Sequence, residues 1–311
     1  MSTGTSMSGG FQTQRLAVVG LGLMGGSIAL ALRNFAEQII GVDQSAETRQ
    51  YALEKGIVDH ATADLREGVS HADVVILCAP VRVVLEILQK RIGSYLRSNT
   101  LLIDIGSTKK DICDAMGQLP IGIHAIGGHP MTGKERSGIT ASDPTLYQDR
   151  PFVLCSTRRT TPATRLRALA LVQALNAVPI EMDATRHDRV VAAISHLPYL
   201  LSAALVATVA AEAQNDPAVW QLAAGGFRDT SRLAGSDITM MGDILSTNTQ
   251  AVATLLALFR VQMGLLETKL IAHDYEHLLQ SLEPLRAARL TWSEQHEKQH
   301  ERKNPDNGVT Q

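Results

Sequence analysis

The sequence predicts a doubly wound α/β sheet followed by an all-α helical domain. Short β-branched runs alternate with helical patterns from Arg15 to about Asp183, the rhythm of a mostly parallel sheet with helices on both faces. The first run opens directly into a glycine-rich turn and a helical pattern, Val18-Val19-Gly20-Leu21-Gly22-Leu23-Met24-Gly25-Gly26-Ser27. Beyond Asp183 the strand-like runs vanish, and Ala- and Leu-rich segments continue to about Ser293.

Taken in order, residues 1–14 are rich in Ser, Thr and Gly and read as a disordered tail. Residues 15–183 are expected to form the α/β domain. Its strands are expected at Leu16–Val19, Ile39–Val42, Val74–Leu77, Leu101–Ile105, Ile123–Ile126, Phe152–Cys155 and Val178–Glu181. The later ones allow a partly antiparallel edge. Helices are expected near Met24–Asn34, Ala46–Lys55, Val83–Ile92, Lys109–Met116 and Pro162–Asn176. Residues 184–295 are expected to form a helical domain, with helices at His187–Ala213, Val219–Gly225, Ile238–Ser246, Thr247–Ala272 and His273–Glu297. The stretch Leu200–Val209 is too apolar to face water, so it packs inside this domain or against a second copy, and a homodimer is favoured. Residues 296–311 are polar and read as a second disordered tail.

At 311 residues the chain can hold two domains, each with its own core. Hydrophobic residues at 45% and charged residues at 19% suit a soluble globular protein. A net charge of −2 without a long basic run gives nucleic acid no footing. Cys78, Cys113 and Cys155 are widely spaced in apolar or helical contexts and match no metal pattern, so they read as reduced structural thiols. The uncharged run Leu16–Leu32 is broken by four glycines, as a strand–turn–helix requires and a signal core does not. Leu197–Ala211 is too short to span a bilayer. These readings point to a cytoplasmic protein without a membrane or metal partner.

The glycine turn fits G-x-G-x-x-G, the fingerprint of a Rossmann-type dinucleotide site. Gly20 permits the tight turn, Gly22 lets backbone approach a pyrophosphate, and Gly25 lets helix pack on strand. Leu23 and Met24 open the helix, whose free N–H groups and positive dipole end suit phosphate. Asp43, 23 residues after Gly20, ends the second strand, where a carboxylate binds the adenine-ribose hydroxyls. That carboxylate repels a 2′-phosphate, and Gln44 and Ser45 follow it, so NAD is favoured over NADP. Cys78-Ala79-Pro80-Val81 ends a further strand, and the small Ala79 and Pro80 leave room along the cofactor or simply pack.

In such a sheet, ligands collect beyond the carboxyl ends of the strands. Two polar clusters are expected there. Asp104-Ile105-Gly106-Ser107-Thr108-Lys109 closes one strand, and Ser107 serves either the ligand or the N-cap of the next helix. Gly127-Gly128-His129-Pro130 forms a glycine-rich loop after Ile123–Ile126, and its imidazole can take or give a proton near neutrality. Farther on, Ser195-His196-Leu197-Pro198-Tyr199 interrupts a helix, which Pro198 kinks. Gly226-Phe227-Arg228-Asp229-Thr230-Ser231-Arg232 offers two arginines for a carboxylate, or else an Arg228–Asp229–Arg232 surface salt network.

Together these segments resemble the prephenate and arogenate dehydrogenases of tyrosine biosynthesis, the TyrA family. The likeness spans about Arg15 to Lys269 and rests on the glycine turn, Gly106-Ser107-Thr108-Lys109, Gly128-His129-Pro130-Met131, Ser195-His196-Leu197-Pro198 and the Gly226–Arg232 stretch. It implies a helical, dimeric second domain and a monofunctional member. It also implies NAD-dependent oxidative decarboxylation of prephenate to 4-hydroxyphenylpyruvate, or of arogenate to tyrosine. In that reading His129 accepts the hydroxyl proton and Ser107 holds the hydroxyl. Arg232 pairs with a substrate carboxylate, with Arg228 the weaker candidate, and His196 assists. Glu135 tunes charge near the substrate and leans toward prephenate, whereas Tyr199 matches neither substrate group. Two rivals are a β-hydroxyacid dehydrogenase, whose Gly-x-x-Gly-x-x-x-Lys stretch is not evident in the second half, and a dinucleotide-sensing protein without turnover.

Overall fold

The structure, a computed structural model, describes residues 10–90, 92–134 and 136–303, with side chains through 295. Eight strands make one sheet: β1 (Thr13–Val19), β2 (Ala36–Val42), β3 (His60–Thr62), β4 (Val74–Leu77), β5 (Leu101–Asp104), β6 (His124–Pro130), β7 (Pro151–Ser156) and β8 (Val178–Glu181). Their order is β3-β2-β1-β4-β5-β6-β7-β8. Every neighbouring pair is parallel except β6–β7, which supplies the antiparallel element the sequence allowed.

The alternation of strand side chains explains the layering. Leu16, Val18, Val74, Ile76, Leu101 and Ile103 enter one apolar cluster, while Ala17, Val19, Val75, Leu77 and Leu102 enter the other. Central strands β4 and β5 are buried throughout, as expected where helices cover both faces. The strand order reverses between β1 and β4. The chain ends of these two strands, at Gly20 and Cys78, therefore flank the crevice where this architecture binds ligands.

Strands β1, β3 and β6 depart most from expectation, for tertiary reasons. β1 begins at Thr13, inside the segment expected to be a tail, because Thr13 pairs with Ala36 and Phe11 is buried. β3 has no apolar run to announce it and exists by edge pairing of His60–Thr62 with Ile40–Val42. β6 runs on through His129 to Pro130, so the expected glycine loop is strand: Gly127, Gly128 and His129 pair with Cys155, Leu154 and Val153. Glycine is a poor strand former, but a Cβ at Gly128 would meet the Asp104 carbonyl oxygen at 2.5 Å and Phe152 at 2.9 Å.

After β8 the chain is helical, with helices Ala184–Val191, Leu197–Asn215, Ala218–Leu222, Gly225–Ser231, Ile238–Thr247, Thr249–Ile271 and Tyr275–Lys303. The single helix expected at His187–Ala213 instead starts at Ala184, capped by the Asp183 carboxylate accepting from the Arg186 N–H at 2.8 Å. It passes through a π-helical turn at Ala192–His196. The last helix continues to Lys303, past the point expected to fray. By contacts the chain divides after Val252. Residues between Ala184 and Val252 are tied to the sheet's loops by bonds such as Lys109 N–H to Asp188 and Arg82 N–H to Asp243. The helix Thr249–Ile271 exposes Leu258, Val261, Met263, Leu265 and Leu270. It and the stretch Ala184–Asn215 are long and apolar enough to cross a bilayer by length and composition alone.

Candidate active site

The three fingerprint glycines differ in what surrounds them. Gly20 has φ +94°, in the left-handed region, and a Cβ there would sit 2.8 Å from the Cys78 carbonyl oxygen. A Cβ on Gly25 would overlap the Gly20 carbonyl oxygen, so only glycine lets the helix Leu23–Ala31 approach the turn this closely. Gly22 caps that helix in extended backbone with nothing within 4 Å of where a Cβ would stand. The open space lies at a helix N-terminus whose first N–H groups have no acceptor within the helix, which is what a pyrophosphate requires. Leu23 buries its side chain, and the Met24 carbonyl oxygen accepts from the Tyr147 hydroxyl at 2.6 Å.

Asp43 directly follows β2, with its carboxylate turned to the same loop. Its Oδ2 accepts from the Leu21 N–H at 2.8 Å and its Oδ1 from the Ser45 N–H at 2.9 Å. Arg49 spends its guanidinium on the Asp43 and Gln44 carbonyl oxygens, at 2.7 and 3.0 Å. Across the crevice Ala79 is half-buried and Pro80 exposed at the start of the helix Val81–Gln89. The donor set and the open cradle fit a dinucleotide with a free 2′-hydroxyl.

His129 lies at the end of β6, half-buried, and its ring meets that of His187 edge-on at 5.0 Å between centroids. His129 Nδ1 is 2.8 Å from His187 Nε2, and His187 Nδ1 is 2.8 Å from Asp188 Oδ1. The Asp188 carboxylate in turn accepts from the Lys109 and Lys110 N–H groups at 2.7 and 2.9 Å. It is therefore Asp188, not Ser107, that caps the helix Lys110–Gly117. Half-buried Ser107 stands on the turn between β5 and that helix. Beneath the turn, Lys109 and Asp104 form a salt bridge with no solvent exposure on either side chain. Asp104 also accepts from the Gly106 N–H at 2.8 Å and the Gly128 N–H at 3.2 Å.

Burial pushes the His129 imidazole well below its ordinary range, and the neighbouring His187, Lys109 and His196 add to the effect. His196 is buried at the end of the π-turn, with its Nδ1 3.2 Å from the Asn248 amide nitrogen. That amide also donates to the Asp188 carbonyl oxygen at 2.7 Å. Burial lowers the His196 pKa to about 4, against an upward pull from Asp188. Pro198, expected to kink the helix, sits just after this π-turn; its missing N–H and bulky ring account for the wider turn before it. Burial also raises all three cysteine thiols, so none offers a thiolate nucleophile.

The remaining expected residues are spread more widely. Tyr199 is half-buried in the first turn of the helix Leu197–Asn215. Arg228 is exposed and ion-paired with Asp229 at 3.2 Å. Arg232 is exposed on a short 3-10 turn, which packs on the same helix through the Ala234 N–H to Ser202 Oγ bond at 2.8 Å. Glu135 lies outside the described residues. His187, Asp188 and Asn248 were missed by sequence reasoning. The adjacent His187-Asp188 pair, nine residues before His196, looks like one more polar helix face, and only its burial distinguishes it.

Residues 28–181 match the family model for the prephenate dehydrogenase nucleotide-binding domain, and residues 183–284 that for the prephenate dehydrogenase dimerization domain. A prephenate dehydrogenase of Lactococcus lactis subsp. cremoris is 34% identical over 282 residues, which cover 88% of this chain and 77% of that protein. Among solved structures, the A. aeolicus prephenate dehydrogenase in complex with hydroxyphenyl propionate and NAD+ has a TM-score of 0.81 at 29% identity, covering 92% of this chain and 99% of the other. The Synechocystis arogenate dehydrogenase has a TM-score of 0.78 at 31% identity, covering 90% and 100%.

The glycine geometry separates two substitutions. Gly25→Ala should lower both the melting temperature and dinucleotide affinity, since a Cβ there strikes backbone. Gly22→Ala should leave the melting temperature within about 2 °C while weakening NAD binding at least about tenfold, because only the ligand's space is filled. Thermal melts and NAD titrations of the two variants check this. The histidines give a pH signature. A native state that resists protonating His129 and His196 loses stability as pH falls from 6.5, the ordinary histidine value, toward about 4, where His196 titrates. Melting temperature should therefore drop across that window, and His196→Gln should remove part of the drop.

Proposed function

The chain belongs to the prephenate dehydrogenase family, and from that premise we propose that it oxidises and decarboxylates prephenate to 4-hydroxyphenylpyruvate with NAD. The observation that carries the reading is one imidazole, His129, at the carboxyl end of a strand in a sheet that also bears a complete dinucleotide fingerprint. Bound NAD supplies the hydride acceptor. His129, neutral because burial and the nearby Lys109 ammonium disfavour its charged form, accepts the proton of the substrate's ring hydroxyl. The ring carboxylate leaves as carbon dioxide, its bonding pair completes the aromatic ring as a phenolate, and the proton returns to the ring oxygen to give the 4-hydroxyl. Aromatisation drives the chemistry, so the protein's tasks are to orient the ring and to receive that proton.

Ser107, on the turn after β5, is assigned to the substrate hydroxyl. Arg232 is assigned to a substrate carboxylate, since its planar fork suits bidentate pairing. Gly20, Gly22, Gly25, the backbone of Leu23 and Met24, Asp43, Ala79 and Pro80 are assigned to the cofactor. His196, whose Nδ1 is taken by Asn248, is assigned a supporting role through its second nitrogen. Residues 15–183 then constitute the dinucleotide-binding part and 184–295 the substrate and dimerisation part. A cytoplasmic homodimer is the matching assembly. A second copy would cover the exposed leucines of Thr249–Ile271, a role supported by the dimerization-domain match over 183–284. Arogenate is the second candidate substrate, favoured by the likeness to an arogenate dehydrogenase.

Purified protein given NAD and prephenate should show growth of reduced-nicotinamide absorbance, faster than with arogenate or with NADP; absence of turnover in all four combinations would refute the enzyme reading. His129→Asn should lower kcat by roughly two to four orders of magnitude, the worth of a positioned general base, with NAD affinity little changed. Arg232→Ala should chiefly raise KM for the substrate. A fall confined to kcat would remove it from carboxylate binding.

A further inference from the structure

Two imidazoles within hydrogen-bond distance cannot both donate or both accept, so one proton orders the His129–His187 pair. Asp188 sets its direction. A carboxylate only accepts, and Oδ1 and Oδ2 already accept the Lys109 and Lys110 N–H groups at the start of the helix Lys110–Gly117. That position offers the carboxylate two backbone donors and the positive end of the helix dipole. His187 Nδ1, 2.8 Å from Oδ1, must therefore be the protonated nitrogen. Neutral His187 then presents a lone pair at Nε2, 2.8 Å from His129 Nδ1, and the latter becomes the donor.

The groups facing this pair argue against a charged His187. It is 1% exposed and close enough to His196 for the two rings to interact electrostatically, while the Lys109 ammonium lies near its partner His129. Lys109 is already matched by Asp104, leaving Asp188 as the one anion among the groups described here that contacts the His187 ring. A second buried cation would have to share that anion with two backbone donors.

We propose that His187 and Asp188 are positioning residues that lock His129 in the tautomer protonated at Nδ1, leaving Nε2 as the atom that takes the substrate's hydroxyl proton. The inference rests on the proton-acceptor role assigned to His129. In the step itself the substrate O–H bond breaks and an N–H bond forms at Nε2. The imidazolium keeps its Nδ1 proton, which continues to donate to His187, and the His187–Asp188 dipoles point their negative ends at the new charge. The arrangement parallels the carboxylate that orients a catalytic histidine in other enzymes, with a second imidazole interposed.

The tautomer can be read without substrate, from the nitrogen resonances of protein labelled with 15N-histidine, using His129→Asn for assignment. At pH 7.5 His129 should show a protonated Nδ1 and a bare Nε2. The reverse pattern overturns the proposal. In kinetics with prephenate and NAD, His187→Leu should lower kcat about 10- to 100-fold with KM nearly unchanged, as for loss of a group that orients a functional histidine. His187→Gln, whose Oε1 can accept the same proton, should recover about tenfold of that loss. Wild-type kcat in His187→Leu, or His187→Gln no faster than His187→Leu, also overturns it. Failure of the wild type to turn over prephenate or arogenate would instead count against the assigned reaction, and the resonance measurement keeps the two failures apart.

Discussion

Asp104 and Lys109 meet beneath the crevice with neither side chain touching solvent, and the geometry around the imidazole follows from that pair. Two charges withdrawn from water cost several kcal/mol each, so the pair persists only with its remaining hydrogen-bonding capacity satisfied. The Gly106 and Gly128 N–H groups meet that need on the carboxylate side. In doing so they fix the backbone one residue before Ser107 and one before His129. A single buried carboxylate thus sets the distance between the segments at Gly106 and Gly128, which lie 22 residues apart along the chain. The glycines at 106 and 128 are part of the same constraint, since side chains at either would collide with atoms of Asp104 itself.

A second carboxylate extends the constraint into the helical region. Asp188 caps the helix that begins at Lys110 and reaches back through His187 to His129. Asn248 fastens the Asp188 carbonyl oxygen and reaches His196. Helix starts, sheet ends and three imidazoles therefore share one hydrogen-bonded network, in which each polar group has a partner. Such networks hold one arrangement well because the low surrounding dielectric makes any unpaired member expensive. The depressed pKa values of His129 and His196 come from the same enclosure.

The dinucleotide side depends on a different physics. There the requirement is empty space and free N–H groups, provided by residues that lack side chains. Gly25 brings the helix close, Gly20 turns the chain, and Gly22 leaves the gap. The parallel sheet holds these pieces because its central strands bury side chains on both faces, so neither cluster can shift without the other.

Much of this was legible in the chain itself, because it follows from short-range pattern. The strand–turn–helix at Gly20–Gly25, the acid at Asp43, the β/α rhythm and the all-helical second half each depend on residues a few to some twenty positions apart. His129 was legible too, through its glycine neighbours, although pairing with β7 makes its segment a strand instead of a loop. What the chain could not reveal was which polar residues are buried together. Lys109 and Asp188 are 79 positions apart, Asn248 and Asp188 60, and His129 and His187 58. Read singly, each resembles an ordinary solvated side chain. Only folding removes the water between them, and that removal makes hydrogen bonding among them obligatory and gives the imidazoles their charge state and orientation.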